Sequence, residues 1–355
     1  MAKLFGREYT KAELLRVVGD ISQICGVKII ELQEGRSQGV KLARFWTGSG
    51  LEFDVNLSRG MGIGAFRYKG LPLAWMSSTG DVAPEYYDRV GGNMDRSYAG
   101  GLMHNSGLRN VGAPNVDDGE ELGLHGRISN LPAENICADG YWDGDDYYVF
   151  VSGRVRETTA LGENMILRRK VTVKMGSKEI FLEDTVENAA PVTTPHMILY
   201  HTNYGFPLIE EGTRLVIPSK RVIYCGTDDE VKDKNEYAVY PDVADGADTP
   251  IFFHDTAEKD GWSGYAIAND KLGLGLKVKY LKKNLNNLIN WIDLQTGRNV
   301  VEVGPCNCTC LGRAEDRAAG RLQFMEPGEV REYKMSFEVL DGAEEIAAAE
   351  KEFTL

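Results

Sequence analysis

The sequence predicts an all-β protein, a large antiparallel β sandwich with a short helix at its N-terminus. Apolar residues alternate with polar ones, or form short runs, through most of the chain between residues 27 and 340. The 40 glycines provide the many turns that closely spaced strands require. Helical periodicity is confined to the two ends of the chain, a pattern that is typical of a sandwich or a barrel.

The N-terminus carries the clearest helical signal. Thr10 and Glu13 form the Thr-x-x-Glu capping box that begins many helices. Apolar side chains then recur at helical spacing from Leu14 to Ile21, and Gly26 is expected to end the helix. We therefore predict a helical extension over residues 1–26 and a single β-sandwich domain over residues 27–355, with a short Ala- and Glu-rich helix near its end.

The strand predictions rest on period-two alternation and on the turn residues between segments. Residues 175–178 read Met-Gly-Ser-Lys and predict a hairpin. Residues 226–249 are acidic and are predicted to form a solvated surface loop, with a lid over a binding cleft as the alternative. The predicted strands are Val27–Leu32, Lys41–Trp46, Leu51–Leu57, Ala65–Tyr68, Leu71–Trp75, Tyr147–Val155, Met165–Met175, Glu179–Asn188, Met197–Tyr204, Thr213–Ile217, Ser263–Ala268, Gly273–Tyr280, Leu288–Leu294, Val300–Cys306 and Arg331–Val339.

The net charge of −13 argues against two classes of partner. An acidic surface repels the phosphates of nucleic acids and the headgroups of anionic lipids. The first ten residues are polar and charged, and no stretch approaches the ~20 apolar residues of a membrane span. We therefore expect a cytoplasmic protein that binds a small molecule, and neither nucleic acid nor membrane. A homodimer is compatible with this composition.

The six cysteines are expected to be reduced thiols, because no apolar leader precedes them. The run Cys306-x-Cys308-x-Cys310 invites a metal interpretation, but structural zinc sites pair cysteines two to four residues apart and need a second pair. Burial as small apolar side chains is the better expectation. Glycine-rich nucleotide-binding motifs are absent at strand–helix junctions, so no nucleotide cofactor is predicted.

Histidine is the side chain best suited to proton transfer near neutral pH, and the chain has only five. His125 lies in a Gly-Leu-His-Gly-Arg run, and His201 lies inside a predicted strand. His196 and His201 are five residues apart, so on a regular strand they face opposite sides and at most one enters a given site. His104 lies in a glycine-rich segment that we predict as a loop.

Five segments of the chain form a recognisable set: Asp54–Met61, Gly107–Gly112, Leu124–Arg127, Tyr200–Gly205 and Glu326–Glu329. In this order and spacing they resemble the aldose 1-epimerase (galactose mutarotase) superfamily. The closer match is to a poorly characterised branch of it, known mainly as a domain of unknown function. The resemblance extends over residues 27–340. It implies a galactose mutarotase-like supersandwich, a small carbohydrate as substrate, and no cofactor.

In mutarotases of this superfamily, one histidine protonates the ring oxygen of the sugar while a carboxylate takes the proton of the anomeric hydroxyl. The ring opens, and C1 rotates before the ring closes. By this resemblance, His201 corresponds to the general acid, His125 to the second histidine and Arg59 to a sugar-binding arginine. Ring opening moves two protons, so an acid and a base must flank the bond that breaks. The resemblance thus implies an isomerase that interconverts sugar anomers.

The sequence departs from the superfamily at the carboxylate. Relatives present Glu immediately before a proline on a late strand, where this chain has Gly304. Glu302 lies two residues earlier on the same strand face, about 6.6 Å further along, and is our candidate for the base. A general base must come within ~3 Å of its proton, so the strand must compensate for this displacement. A second departure is Gly62, where relatives tend to carry Asp.

Other polar and aromatic side chains are candidate sugar ligands. Asn203 could bond to sugar hydroxyls, or instead cap a turn or strand edge. Arg127 and Arg109 could hold an anionic substituent in bidentate fashion, or form structural ion pairs. Trp291 could stack on a sugar face, although packing in a core is the commoner use of tryptophan.

Two other functions stay open. The missing pre-proline Glu is compatible with a different sugar isomerase, epimerase or lyase that acts on a modified or keto sugar. In that version, His125, His201 and a carboxylate could hold a divalent metal. A non-catalytic carbohydrate-binding protein would keep the cleft and lack the base, since a fold alone does not fix a function.

Overall fold

Strands form most of the regular structure, in segments where apolar and polar residues alternate. The computed structural model describes all residues, 1–355. In chain order the strands are β1 (Ala2–Leu4), β2 (Arg7–Tyr9), β3 (Gly26–Glu31), β4 (Lys41–Trp46), β5 (Leu51–Asn56), β6 (Gly62–Tyr68), β7 (Leu71–Pro72), β8 (Met103–Leu108), β9 (Asn115–Asp117), β10 (Glu120–Leu122), β11 (Glu134–Asp143), β12 (Asp146–Thr158), β13 (Asn164–Lys174), β14 (Glu179–Asn188), β15 (Thr194–Tyr204), β16 (Arg214–Val216), β17 (Ser219–Tyr224), β18 (Ile251–Thr256), β19 (Trp262–Asn269), β20 (Leu274–Leu281), β21 (Asn287–Asp293), β22 (Val300–Cys306), β23 (Gln323–Met325) and β24 (Val330–Asp341).

Helices are few and short. The four α-helices are α1 (Lys11–Leu15), α2 (Asn235–Ala238), α3 (Arg313–Ala318) and α4 (Ala343–Phe353). Single 3₁₀ turns occur at Ile21–Gln23, Gly35–Ser37, Pro84–Tyr86, Asn93–Ser97, Ile128–Asn130 and Lys282–Asn284. None of these helices is long and apolar enough to cross a membrane.

Two antiparallel sheets form the sandwich. The larger sheet has twelve strands, ten of them in the order β17-β18-β21-β22-β15-β8-β6-β5-β4-β3, with β7 beside β6 and β23 beside β15. The smaller sheet has eight strands in the order β11-β12-β13-β14-β24-β20-β19-β16. The hairpins β1-β2 and β9-β10 lie apart from both. The predicted all-β antiparallel sandwich is therefore confirmed.

The space between the sheets is the core, and alternate residues of β15 point into it. The Tyr200 hydroxyl donates to Asp184 Oδ2 on the smaller sheet at 2.8 Å, and the hydroxyls of Tyr204 and Tyr265 are 2.6 Å apart. Arg169 and Asp184 form an ion pair that is almost completely buried beside Tyr200. Because side chains alternate along a strand, Thr202 shares the core face with these tyrosines, whereas His201 and Asn203 must face away from the core.

The N-terminal prediction is partly wrong. Thr10 and Glu13 do form the capping box, but α1 ends at Leu15, and only a 3₁₀ turn covers Ile21. The hairpin β1-β2, which the sequence did not reveal, precedes the helix. Ala2, Leu4 and Leu14 belong to the same buried cluster as the sandwich core, so the segment is held by tertiary packing and not by helix length.

Two further segments differ from their predictions. The glycine-rich stretch that contains His104 is predicted as a loop, yet Met103–Leu108 forms β8 in the middle of the larger sheet. There, β8 pairs with β15 and places His104 opposite His201. Leu71–Trp75 forms only the two-residue strand β7. The hairpin at residues 175–178 and the C-terminal helix α4 form as predicted.

Candidate active site

A cleft of about 570 Å³ opens on the face of the larger sheet that points away from the core. Its floor comes from β15, β21 and β22, which lie side by side, and its walls come from loops around residues 75–79, 94–98, 124–125 and 297–300. Of the predicted site residues, His125, His201, Trp291 and Glu302 line this cleft. Chain segments about 180 residues apart therefore meet in one site.

His201 is held by a neighbouring amide on its own strand. Its Nδ1 lies 2.8 Å from Asn203 Oδ1, and the Tyr98 hydroxyl donates to the same amide oxygen at 2.7 Å. The Nε2 atom has no partner within the protein and faces the cleft. Burial, with a smaller contribution from His125, lowers the pKa of His201 to about 3, so the imidazole is neutral at physiological pH.

His125 lies beside His201, with the two rings edge to face and their centroids 5.3 Å apart. The backbone N–H of Gly112 donates to His125 Nδ1 at 3.2 Å, so the neutral ring carries its proton on Nε2. Burial lowers the pKa of His125 to about 4 and keeps the ring neutral. His125 is therefore a hydrogen-bond donor in the cleft.

Glu302 reaches the cleft from β22, where it lies opposite both Asn203 and Trp291 in the strand ladders. Glu302 is 1% exposed, its Oε1 has no hydrogen-bond partner, and no arginine or lysine pairs with it. Burial raises the pKa of Glu302 well above its ordinary value. A buried carboxyl without a cation is most stable in its protonated form.

Gly304 explains how Glu302 fits. A side chain at position 304 would collide with Glu302 Oε1 and would lie 2.5 Å from Leu199 Cδ1. The Glu302 carboxyl thus occupies the space that a residue at 304 would fill. The displacement along β22 that the sequence predicted is therefore offset by the direction of the Glu302 side chain.

Two tryptophans and one ion pair complete the cleft. Trp291 lies with its ring centroid 6.4 Å from that of His201, and Trp75 lies 6.1 Å from Tyr98 by the same measure. Both are partly exposed, so their rings are available to a ligand. At the mouth, the exposed Arg298 donates to the buried carboxylate of Asp293 at 3.0 Å.

Arg59 does not reach the cleft. Its guanidinium donates to the backbone carbonyls of Val82, Ser97 and Ser129, and to the side chain of Asn130. It therefore joins three loops behind the site, and the structure does not support the predicted contact with a sugar.

The other polar candidates lie outside the cleft or are engaged within the protein. Arg109 forms a bidentate pair with Glu120, with both distances 2.9 Å, and contacts Glu163 as well. Arg127 lines a separate small cavity together with Arg109. Asn203 is completely buried and uses its amide to hold His201, Tyr98 and the Gly101 carbonyl. Its place in the site is to position His201, and it has no free group for a substrate.

Tyr98 is a candidate site residue that the sequence did not reveal. It lies in a loop just before β8, and its hydroxyl is 3.3 Å from His201 Nδ1 in addition to its bond with Asn203. No motif or spacing in the sequence indicates that Tyr98 lies near His201, because the pairing of β8 with β15 brings the two residues together. An aromatic residue in a glycine-rich stretch was the only available signal.

The cysteine run does not lie on one strand face. Only Cys306 belongs to β22, and both Cys306 and Cys308 are buried in an apolar cluster beneath the cleft. Cys310 borders the cleft, with its Sγ 3.2 Å from Cys225 Sγ. No group of three or more His, Cys, Asp or Glu side chains is arranged to hold a metal ion.

Comparison with known proteins supplies the family. The model of a domain of unknown function, DUF4432, matches residues 37–339. The chain belongs to the DUF4432 family. No curated protein matches this chain. DUF4432 itself carries no assigned activity in its description, so the activity must be argued from the site.

Solved structures place this DUF4432 chain among mutarotase-like folds. A "putative aldose 1-epimerase" from Klebsiella pneumoniae superposes with a TM-score of 0.85 and 21% identity, covering 92% of this chain and 86% of that one. A galactose mutarotase-like protein from Clostridium acetobutylicum superposes with a TM-score of 0.60 and 14% identity, covering 89% of this chain and 99% of that one. The galactose 1-epimerase from Lactobacillus acidophilus superposes with a TM-score of 0.59 and 10% identity, covering 90% of this chain and 100% of that one. The fold predicted from the resemblance is confirmed by these matches.

Proposed function

We propose that this protein is a sugar isomerase of the aldose 1-epimerase type, which interconverts the anomers of an aldose by opening and closing its ring. One observation carries the proposal: the free Nε2 of His201, the Nε2–H of His125 and the carboxyl of Glu302 all open into one cleft. Ring opening needs an acid and a base on the two sides of one bond, and these groups can provide both.

The cleft also has the composition of a sugar site. Trp75 and Trp291 offer flat apolar surfaces for the C–H faces of a pyranose, and the polar groups between them are hydrogen-bond donors and acceptors. Its volume of about 570 Å³ exceeds what a monosaccharide fills. The fold neighbours named as aldose or galactose 1-epimerases support the same substrate class.

The direct test is proton NMR exchange between anomers. One anomeric H1 of each sugar in a panel of aldoses and uronic acids is saturated, and transfer to the other anomer is measured with and without protein. We expect acceleration by the wild-type chain and loss of the acceleration in His201→Ala. The matched control is Lys170→Ala on the outer face of the smaller sheet, which should act as wild type.

Three other outcomes have distinct meanings. Transfer that is unchanged in His201→Ala would overturn the assignment of His201. No acceleration on any aldose, with new products from keto or modified sugars, would favour a different sugar isomerase or lyase. Thermal stabilisation by a sugar without any turnover would favour a non-catalytic binding protein.

A further inference from the structure

The hydrogen bonds of the cleft determine which of its groups carries a proton before a sugar binds. We propose that Glu302 is the proton donor and His201 Nε2 the proton acceptor, so that the carboxyl acts as the acid and the imidazole as the base. This inference rests on the proposed function, and it reverses the roles that the resemblance implies for the histidine and the carboxylate.

The orientation of Asn203 fixes the tautomer of His201. The Asn203 amide nitrogen donates to the carbonyls of Gly101 at 2.9 Å and of His201 at 3.2 Å. Its oxygen must then face His201 Nδ1, and it also accepts the Tyr98 hydroxyl. An amide oxygen can only accept, so Nδ1 carries the hydrogen and the lone pair lies on Nε2, in the cleft.

The surroundings of His201 disfavour an imidazolium. The residue that holds Nδ1 is a neutral amide, whereas a carboxylate at the same place would stabilise a positive ring. The titratable groups packed around it are Tyr98, His104 and His125, and burial disfavours the charged form of each. Arg59 adds positive potential at His104 and disfavours a charged ring there. A neutral His201 can accept a proton and has none to give from Nε2.

The surroundings of Glu302 favour the protonated carboxyl. Leu199, Ile289 and Cys306 form an apolar patch beneath it, and its Oε1 is buried without a partner. The other charged residues that line the cleft are Asp95, Asp293 and Arg298, and Arg298 is already paired with Asp293. The backbone N–H of Trp291 favours the carboxylate, but burial outweighs it and keeps the pKa of Glu302 well above its ordinary value. A proton on Glu302 therefore removes the cost of a buried charge that no cation balances.

The chemistry balances with these roles. The sugar binds with its anomeric hydroxyl at His201 and its ring oxygen at Glu302. His201 Nε2 takes the hydroxyl proton, C1=O1 forms as the C1–O5 bond breaks, and Glu302 gives its proton to O5. The open-chain aldehyde then rotates about C1–C2. Closure returns one proton from O5 to Glu302 and one from His201 to O1, so no oxidant or cofactor is consumed.

The test measures the protonation states of the histidines and of Glu302 by spectroscopy. Nitrogen-15 NMR of the histidines at neutral pH should show His201 neutral with the hydrogen on Nδ1, and His125 neutral with the hydrogen on Nε2. Infrared difference spectra between wild type and Glu302→Gln should show a protonated carboxyl that is lost in the variant. An imidazolium at His201 together with an ionised Glu302 would overturn the inference, whether or not the protein turns over a sugar.

A variant tests the same assignment by kinetics. In Asn203→Asp, the new carboxylate should raise the pKa of His201 by about one to three units. The acidic limb of the pH profile of kcat/KM should move up by the same amount, whereas KM at the pH optimum changes little. An acidic limb that stays in place, with His201 shifted by NMR, would show that His201 is not the base. Failure of all turnover while both spectra agree with the proposal would instead count against the proposed function.

Discussion

His196 and His201 lie five residues apart on β15, and both are buried and bonded to a tyrosine hydroxyl. In the core, His196 Nδ1 bonds to the Leu108 carbonyl at 3.0 Å and Nε2 to the Tyr333 hydroxyl at 2.7 Å. In the cleft, His201 Nδ1 bonds to Asn203, and Nε2 has no partner in the protein. Burial lowers the pKa of His196 to about 4 and that of His201 to about 3.

The difference teaches how a structural histidine and a candidate catalytic one can be told apart. Burial keeps both rings neutral, so the shift of the pKa does not separate them. The two rings differ in whether the second nitrogen is satisfied within the fold. A polar atom that the fold leaves free, in a cleft with other free polar atoms, is available to a ligand.

The largest expected effect is that substitution of His201 reduces the rate, whereas substitution of His196 reduces the stability. His201→Ala should reduce the rate of anomer exchange by roughly 10²–10⁴, because it removes an acid–base group, and should change stability little. His196→Ala should cost about 2–4 kcal/mol in the free energy of unfolding, because it leaves the Leu108 carbonyl and the Tyr333 hydroxyl without partners. Exchange rates and urea denaturation measure both. Equal loss of rate in a folded His196→Ala protein would contradict the comparison.

Gly304→Ala tests how closely the cleft fits the Glu302 carboxyl. The added Cβ would collide with Glu302 Oε1 and Leu199 Cδ1, so the exchange rate should fall at least ~10-fold and stability by about 1–3 kcal/mol. Gly64→Ala on β6 is the matched control, since its Cβ would meet only the Asp54 carbonyl at 3.7 Å. An active Gly304→Ala protein would mean that the position of Glu302 is not needed.

The neutral histidines should make the protein less stable in acid. Their pKa values are lower in the folded chain than in the unfolded one, so the unfolded chain binds more protons below about pH 6.5. The free energy of unfolding should therefore fall as the pH drops from about 6.5 towards 4, by up to ~1.4 kcal/mol per pH unit for each histidine. Denaturation of His196→Gln across this range should show a shallower slope. An unchanged slope would mean that His196 is protonated in the core.

Removing a single hydroxyl should give the smallest effects. Tyr98→Phe loses one donor to Asn203 Oδ1, while the Gly101 carbonyl still orients the amide, so the exchange rate should fall only several-fold. Tyr333→Phe leaves His196 Nε2 without its donor and should cost about 1 kcal/mol of stability with no loss of rate. A Tyr98→Phe protein that is inactive would give Tyr98 a direct part in proton transfer.

The sequence was sufficient for much of the framework. Alternation located β4 and β22 residue for residue, and it located β14 and its hairpin with β13, because one buried face imposes a period of two. The pattern failed at β8, whose segment His-Asn-Ser-Gly is polar on both faces. That strand is polar because its outer face places His104 against the Tyr98 ring and its inner face supports the buried Arg169 through Asn105.

The sequence by itself determined the fold class, the opposite orientations of His196 and His201, and the choice of His125, His201 and Glu302 as candidates. Only the tertiary structure decided that these three share one cleft, that Arg59 and Arg109 are engaged elsewhere, and that Tyr98 and Asn203 orient His201. The physical reason is that residue type and spacing fix which side of a strand a group faces. Its partners depend on strand register and on loops distant in the sequence, and those partners determine where its proton lies.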